Sequence, residues 1–285
     1  MKMNGRITAL TRKQVIPNFP KRPRDSHKGM FGTVAVIGGA NGMVGAALMA
    51  ARAAIKLGAG CVHVGLLADH PPSVDFIQPE LMLHSASTAL RLPEVDVFAV
   101  GCGLGTSFAA QKLLYQVLDR KAALVLDADA LNLLAKHADL QNDLSNRKSP
   151  AVITPHPGEA ARLLACGTKE IQADRIAAAR QLWSRFGCCV VLKGADSLCI
   201  TRDGRLFMNK TGNPGMSSAG MGDVLTGMIG AFIAQGLSAD NAMLLAVHLH
   251  GAAGDALAEQ HAGIGMTATE VTEWARYLLN KWLHN

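Results

Sequence analysis

Aromatic residues are scarce in this 285-residue chain: Phe, Tyr and Trp together make up 5%. Little is therefore available for stacking nucleic-acid bases, although the formal net charge is +6. That excess sits at one end. Met1 to Lys28 holds eight Lys/Arg against the single acid Asp25, leaving twenty basic and twenty-one acidic side chains in the remainder. No nucleic-acid partner is expected. No run of eighteen apolar residues is free of charge and no secretory segment opens the chain, so neither a membrane partner nor export is expected, and a soluble cytoplasmic protein is. The six cysteines form no CxxC pair and no zinc-ligand spacing. Most lie in apolar stretches, as buried reduced thiols do. Pro/Ser-rich linkers, internal repeats and low-complexity segments are also missing. With 49% hydrophobic residues, residues 26–285 read as one domain behind a basic, solvated arm at 1–25, lying outside any sheet.

What is present is a rhythm. "TVAVIG" from Thr33, "CVHVGL" from Cys61, "VDVFAVG" from Val95, "ALVLDADAL" from Ala123, "AVIT" from Ala151 and "CVVLKG" from Cys189 are short apolar runs that end in Gly, Asp, Thr or Lys. Helical stretches such as Val44 to Gly58, Ala109 to Arg120 and Lys169 to Phe186 fall between several of them. Apolar strands alternating with helices predict an α/β fold, a mostly parallel sheet covered on both faces. "SLCITRDGRLFMN" adds a hairpin about Asp203-Gly204, and three helices follow, near 223–235, 240–259 and 269–283.

Open parallel sheets bind ligands beyond the carboxyl ends of their strands. Five polar or Gly-rich segments stand at such ends: "GGANG" (Gly38 to Gly42), "GCGLG" (Gly101 to Gly105), "DADALN" (Asp127 to Asn132), "TPHPGE" (Thr154 to Glu159) and "KGADS" (Lys193 to Ser197). Neither Gly motif is a phosphate fingerprint: "GGANGMVG" lacks the Walker lysine, and "GCGLGTS" does not complete GxGxxG, which argues against a Rossmann dinucleotide site. The sixth segment, "GNPGMSSAGMGDVLTG" from Gly212, delivers one carboxylate, Asp223, onto the first turn of an apolar helix. An acid there is compatible with simple capping. It is equally the arrangement in which Gly-rich backbone and a helix N-terminus receive an anion beside a proton acceptor. His156 has a bland reading as a solvated loop residue, and Asp127 and Asp129 as helix caps. Lys193 at a strand end is more telling, because a buried ammonium without a partner is costly.

Gly220-Met221-Gly222-Asp223 resembles the Gly-x-Gly-Asp of ribokinase-type enzymes. Taken with "SHKGMFGTVAVIGGANGMVGAALMAARAAIKLGAG", "GCGLG", "LVLDADALNLL", "VITPHPGEAARL" and "VVLKGADS" in this order, the chain from about Ser26 onward resembles the ADP-dependent NAD(P)H-hydrate dehydratase family, whose fold is ribokinase-like. Many bacterial members fuse this unit behind an epimerase domain, and this chain resembles the stand-alone form.

The resemblance implies removal of water from the hydrated nicotinamide ring of NADHX or NADPHX, with ADP as co-substrate ending as AMP and phosphate, and with Mg²⁺. It implies a homo-oligomer, a tetramer, and a separate epimerase acting in the same pathway. It implies that Ala40, Gly103, His156, Pro157, Gly158, Glu159, Ala160, Ala161 and Arg162 contact the hydrated dinucleotide, with Asp223 as the base facing the reacting hydroxyl. Lys193, Gly194, Ala195, Asp196 and Ser197 would form one wall of the ADP site, and Asn213, Pro214, Gly215, Met216, Ser217, Ser218, Ala219, Gly220, Met221 and Gly222 the other. Glu159 would link to the metal. Cys102 stands where the family has Pro, and Ala40 where Ser is common, both at positions expected to act through backbone. A small-molecule kinase of the same superfamily, of the hydroxyethylthiazole or hydroxymethylpyrimidine type, is the alternative reading. A catalytically silent nucleotide-binding module is the third.

Overall fold

The chain builds ten strands into one sheet, seen in a computed structural model that describes residues 7–261 and 263–284. In chain order they are β1 (Ile7–Ala9), β2 (Thr33–Gly38), β3 (Cys61–Leu66), β4 (Met82–Ser85), β5 (Val97–Val100), β6 (Ala123–Leu126), β7 (Ala151–Ile153), β8 (Cys189–Leu192), β9 (Leu198–Ile200) and β10 (Leu206–Met208). The spatial order is β1-β10-β9-β8-β7-β6-β5-β2-β3-β4. All neighbours from β8 through β7, β6, β5, β2 and β3 to β4 pair in parallel, whereas β9 is antiparallel to both β8 and β10. The central strands are buried on both faces, which is why they read as unbroken apolar runs rather than alternating ones.

Helices cover each face. On one side Val44–Lys56, Met221–Ala234, Ala239–His261 and Ala268–His284 pack on Val34, Val36, Val62 and Val64. On the other, Phe108–Leu118, Ala128–Lys136, Pro157–Leu164 and Arg175–Phe186 pack on Ile37, Phe98, Leu124 and Leu126. The first layer is held close by small residues. A side chain at Gly227 would meet the backbone oxygen of Ala50 at 1.9 Å, so the Met221 helix approaches the Val44 helix as near as backbone allows. Among the described residues no helix is long and apolar enough to cross a membrane.

Two expectations need correction. The leader is not a solvated arm: Ile7–Ala9 adds a parallel edge strand to β10, and Leu10 and Val15 are buried in the core. Leu10 and Val15 turn inward and β1 covers an edge that would otherwise be open, while Lys13, Lys21, Arg22 and Arg24 stay at the surface. Arg22 even docks, its guanidinium 3.9 Å from the Phe31 ring centre and 2.6 Å from Gln235 Oε1. Residues 1–6 of the leader lie outside the described residues. The stretch expected as one helix from Lys169 to Phe186 is two, Thr168–Ala173 and Arg175–Phe186. Asp174 divides them by accepting a hydrogen bond from the Ala177 amide, capping the second.

Candidate active site

From β2 the chain runs outward to β3 and β4, then crosses back to β5 and proceeds the other way. The carboxyl ends of β2 and β5 therefore flank a crevice, the usual ligand position in open α/β sheets. The two Gly loops meet there. The Gly39 amide donates to the Cys102 carbonyl at 3.0 Å, and the Ala40 amide to the Gly103 carbonyl at 2.7 Å.

The ends of β6, β7 and β8 bring three charged side chains together. Asp127 is buried, with its Oδ1 2.5 Å from Lys193 Nζ and its Oδ2 accepting from the Thr226 hydroxyl at 3.1 Å. It occupies the N-cap position of Ala128–Lys136, yet its side chain makes no capping bond. The capping reading of Asp127 therefore gives way to an ion pair. Glu159 Oε2 lies 3.8 Å from the same ammonium and accepts from the His156 amide at 2.7 Å. Burial is the main cause that lifts the Glu159 carboxyl to about 7, against the opposing pull of Lys193. The Asp127 and Glu159 carboxylates raise the basicity of Lys193 in spite of its burial.

His156 is not a loose loop residue. It is the N-cap of Pro157–Leu164, its Nδ1 accepting from the Gly158 amide at 3.0 Å, with Glu159 completing a reciprocal capping box. An accepting Nδ1 places the ring proton on Nε2, which faces Glu159 Oε1 at 3.3 Å. Burial, and then the charges of Lys193 and Arg162, lower the affinity of this imidazole for a proton. A second chain of contacts ties three strand ends: Arg162 donates to Asn132 at 2.8 Å, Asn132 to Asp129 at 3.1 Å, and the Gly105 amide to Asp129 Oδ2 at 2.8 Å.

Asp223 lies in the first turn of Met221–Ala234. Gly220 precedes that helix with φ 89°, left-handed backbone that favours glycine. Burial is the main cause that lifts the Asp223 carboxyl to about 6; the Cys102 thiol donates to it and counteracts, as does Lys193, while Asp127 and Asp129 push the same way as burial. Cys102 thus acts through its side chain as well as through the backbone that was expected to matter most. It is fully buried, and its burial together with the neighbouring Asp223 charge keeps the thiol protonated. Gly222 stands between the groups: a side chain built there would lie 3.2 Å from both Asp127 Oδ2 and Lys193 Nζ. The backbone lies close over the ion pair, and a side chain there would press on both charged groups by a few tenths of an ångström.

A cavity of about 490 Å³ opens on one side of this ridge, lined by Lys193 to Ser197, Asn209 to Pro214, Met216, Ser217, Met221, Gly222, Leu225, Val247, His250 and Gly251. Most of the residues expected at the nucleotide are among them. Gly215, Ser218, Ala219 and Gly220 are not, and Ser218 is turned to the Met266 carbonyl at 2.9 Å. Ala40, Gly103, His156 to Arg162 and Asp223 line none of this cavity.

Several residues holding the site escaped sequence reasoning. Asp255 receives the Gly212 amide at 2.8 Å and Asn213 Nδ2 at 3.1 Å, fixing the loop to the Ala239 helix. Arg175 donates to the Leu192 and Lys193 carbonyls and to that of Ala195, holding the strand end of "KGADS". Neither carries a local motif. Asp127 was expected only as a helix cap, although the lysine at the end of β8 called for a phosphate or carboxylate partner. Glu159, expected to link to a metal, has its oxygens beside the His156 amide and Lys193, and among the described residues no group of three or more His, Cys, Asp or Glu is placed to hold an ion.

A family model described as NAD(P)H-hydrate dehydratase matches residues 34–276. The ADP-dependent (S)-NAD(P)H-hydrate dehydratase of Neisseria meningitidis is 44% identical over 268 residues, covering 92% of this chain and 90% of the relative. The bifunctional NAD(P)H-hydrate repair enzyme of Coxiella burnetii is 42% identical over 94% of this chain, which spans 54% of that relative's length. Among solved structures, the ADP/ATP-dependent NAD(P)H-hydrate dehydratase of Bacillus subtilis, crystallised with ATP and Mg²⁺, superposes with a TM-score of 0.85 at 27% identity, covering 98% of this chain and all of that one.

Proposed function

This chain belongs to the NAD(P)H-hydrate dehydratase family, and on that premise we propose that it repairs hydrated NADH and NADPH by ADP-dependent dehydration of the S form. The observation that carries the reading is Asp223, a carboxylate poised at about 6 on a helix N-terminus, beside a cavity whose lining includes Lys193 and the Gly-rich loop. A base with that affinity is ionised at neutral pH yet binds a proton readily.

Hydroxide is a poor leaving group, so the hydroxyl on the ring is first converted to a phosphate ester. Asp223 takes the hydroxyl proton. The hydroxyl oxygen bonds to the β-phosphorus of ADP as the bond from that phosphorus to the bridging oxygen breaks, releasing AMP. Backbone amides about Gly220 and Gly222, at the positive end of the helix, stabilise charge on the moving phosphoryl group. The ring nitrogen's lone pair then expels phosphate, and loss of a proton from the adjacent ring carbon restores the dihydronicotinamide. Asp127 neutralises Lys193 until phosphate oxygens arrive, and Lys193 then serves both. Mg²⁺ is proposed to enter on the nucleotide phosphates, since it keeps most of its waters and takes few protein ligands; the proton step at Asp223 does not pass through it.

The hydrate is assigned to the crevice of Ala40, Gly103 and His156 to Arg162, and ADP to the cavity. A homotetramer in the cytoplasm, fed by a separate epimerase, completes the proposal by family resemblance. The test is to incubate the protein with chemically hydrated NADH and each nucleotide while following absorbance of the reduced ring. Recovery is expected with ADP and Mg²⁺. Consumption of ATP with a phosphorylated product and no recovered NADH would instead establish a kinase, and no nucleotide consumption a silent binding module.

A further inference from the structure

His250 is the one buried side chain of the cavity whose hydrogen bonding is left incomplete among the described residues. It is 9% exposed and lines the cavity with Lys193, Thr211, Met221, Gly222 and Gly251. Its Nε2 has no partner. Two residues earlier on the same helix, His248 has its Nδ1 3.2 Å from Asn209 Oδ1 and its ring against Trp282. An unpaired buried nitrogen costs about 1–3 kcal/mol, and such groups are few in folded proteins. Leu, Ala, Val and Met fill the neighbouring packing positions of Ala239–His261, so nothing in the core calls for an imidazole there.

The position indicates what completes it. Lys193 acts on His250 through its charge, and Gly222 backbone lies beside the Lys193 ammonium. His250 therefore lines the same cavity as Lys193 and as Met221 and Gly222, which open the helix whose N-terminus favours an anion. We propose that His250 donates its Nε2–H to the phosphate chain of the nucleotide bound in this cavity. Burial, with the Lys193 charge added, keeps the ring neutral down to about 4. A neutral ring can donate without placing a second positive charge against Lys193. The nature of the anion rests on the ADP-dependent reading above; the orphaned nitrogen and its place in the cavity do not.

His250→Leu and His250→Gln, made in the full chain, test this by calorimetric titration with ADP, AMP and adenosine, alongside thermal melting without ligand. A hydrogen bond to a charged group is worth about 1.5–3 kcal/mol, so His250→Leu is expected to weaken ADP and AMP binding about 10- to 100-fold and leave adenosine unchanged. Its ligand-free Tm should be equal or higher, because an apolar residue replaces an unsatisfied nitrogen. His250→Gln, which keeps an N–H, should recover part of the loss. Parent-like ADP binding by His250→Leu would overturn the proposal, as would an equal loss for adenosine. A parent protein that binds no ADP at all would overturn instead the reading of the cavity, a distinguishable result.

Discussion

Replacing Asp223 by Asn separates a base from a capping residue, and the structure sets the size of both readouts. In the folded protein the carboxyl is lifted from 3.8 to about 6. Its folded-state affinity for a proton exceeds the unfolded one, so the fold is penalised as pH rises from about 4 to about 6, and the penalty is constant above that. Two units correspond to about 3 kcal/mol at pH 8. Asn removes that cost, which is already net of the stabilisation by Cys102 and Lys193, and forgoes about 0.3–1 kcal/mol of helix-dipole attraction. The net gain of about 2 kcal/mol should raise Tm on the order of 5 °C at pH 8, and the gain should vanish near pH 4. Turnover should fall about 10²- to 10⁴-fold, as loss of a general base does. Scanning calorimetry at the two pH values and recovery of NADH from its hydrate are the assays. A variant that turns over within a few-fold of the parent would refute the base assignment. A Tm lowered by several degrees at pH 8 would refute the electrostatic account of the site.

In the parent enzyme kcat/KM should rise as pH increases through about 6, where Asp223 ionises, and Cys102→Ala should move that midpoint upward because the thiol stabilises the carboxylate; an unmoved midpoint in a pH–rate series would show that the thiol is a spectator. Lys193→Ala leaves Asp127 buried without its partner, a loss of about 3–5 kcal/mol visible by urea unfolding, and should weaken ADP binding more than hydrate binding in separate titrations. Asp127→Asn, which keeps the shape and leaves the ammonium only Glu159 at 3.8 Å as a carboxylate partner, should destabilise by less than Lys193→Ala and slow turnover. Deleting residues 1–20 removes β1 with Leu10 and Val15, whose burial is worth about 3–6 kcal/mol together; a truncated protein with unchanged Tm would show that the edge strand is dispensable.

The alternation of apolar runs and helices, and the polar residues at the strand ends, were legible along the chain because each is a local property: β2, β3, β5, β6, β7 and β8 each appear within a few residues as an unbroken apolar run. The residues at "GMGD", "TPHPGE" and "KGADS" were likewise recognisable from their order alone. β1 was not, since three residues amid basic ones pair with an edge about 200 positions away, and neither the charge count nor periodicity encodes that neighbour. The same distance hid the electrostatics of the site. Lys193 is 66 residues from Asp127, and the Asp127 bond to Thr226 spans 99. Which carboxylate would pair with the lysine, which would be left raised at about 6 to accept a proton, and which imidazole would be left unpaired depend on burial and on charges a few ångströms away, and only the closed sheet brings these together.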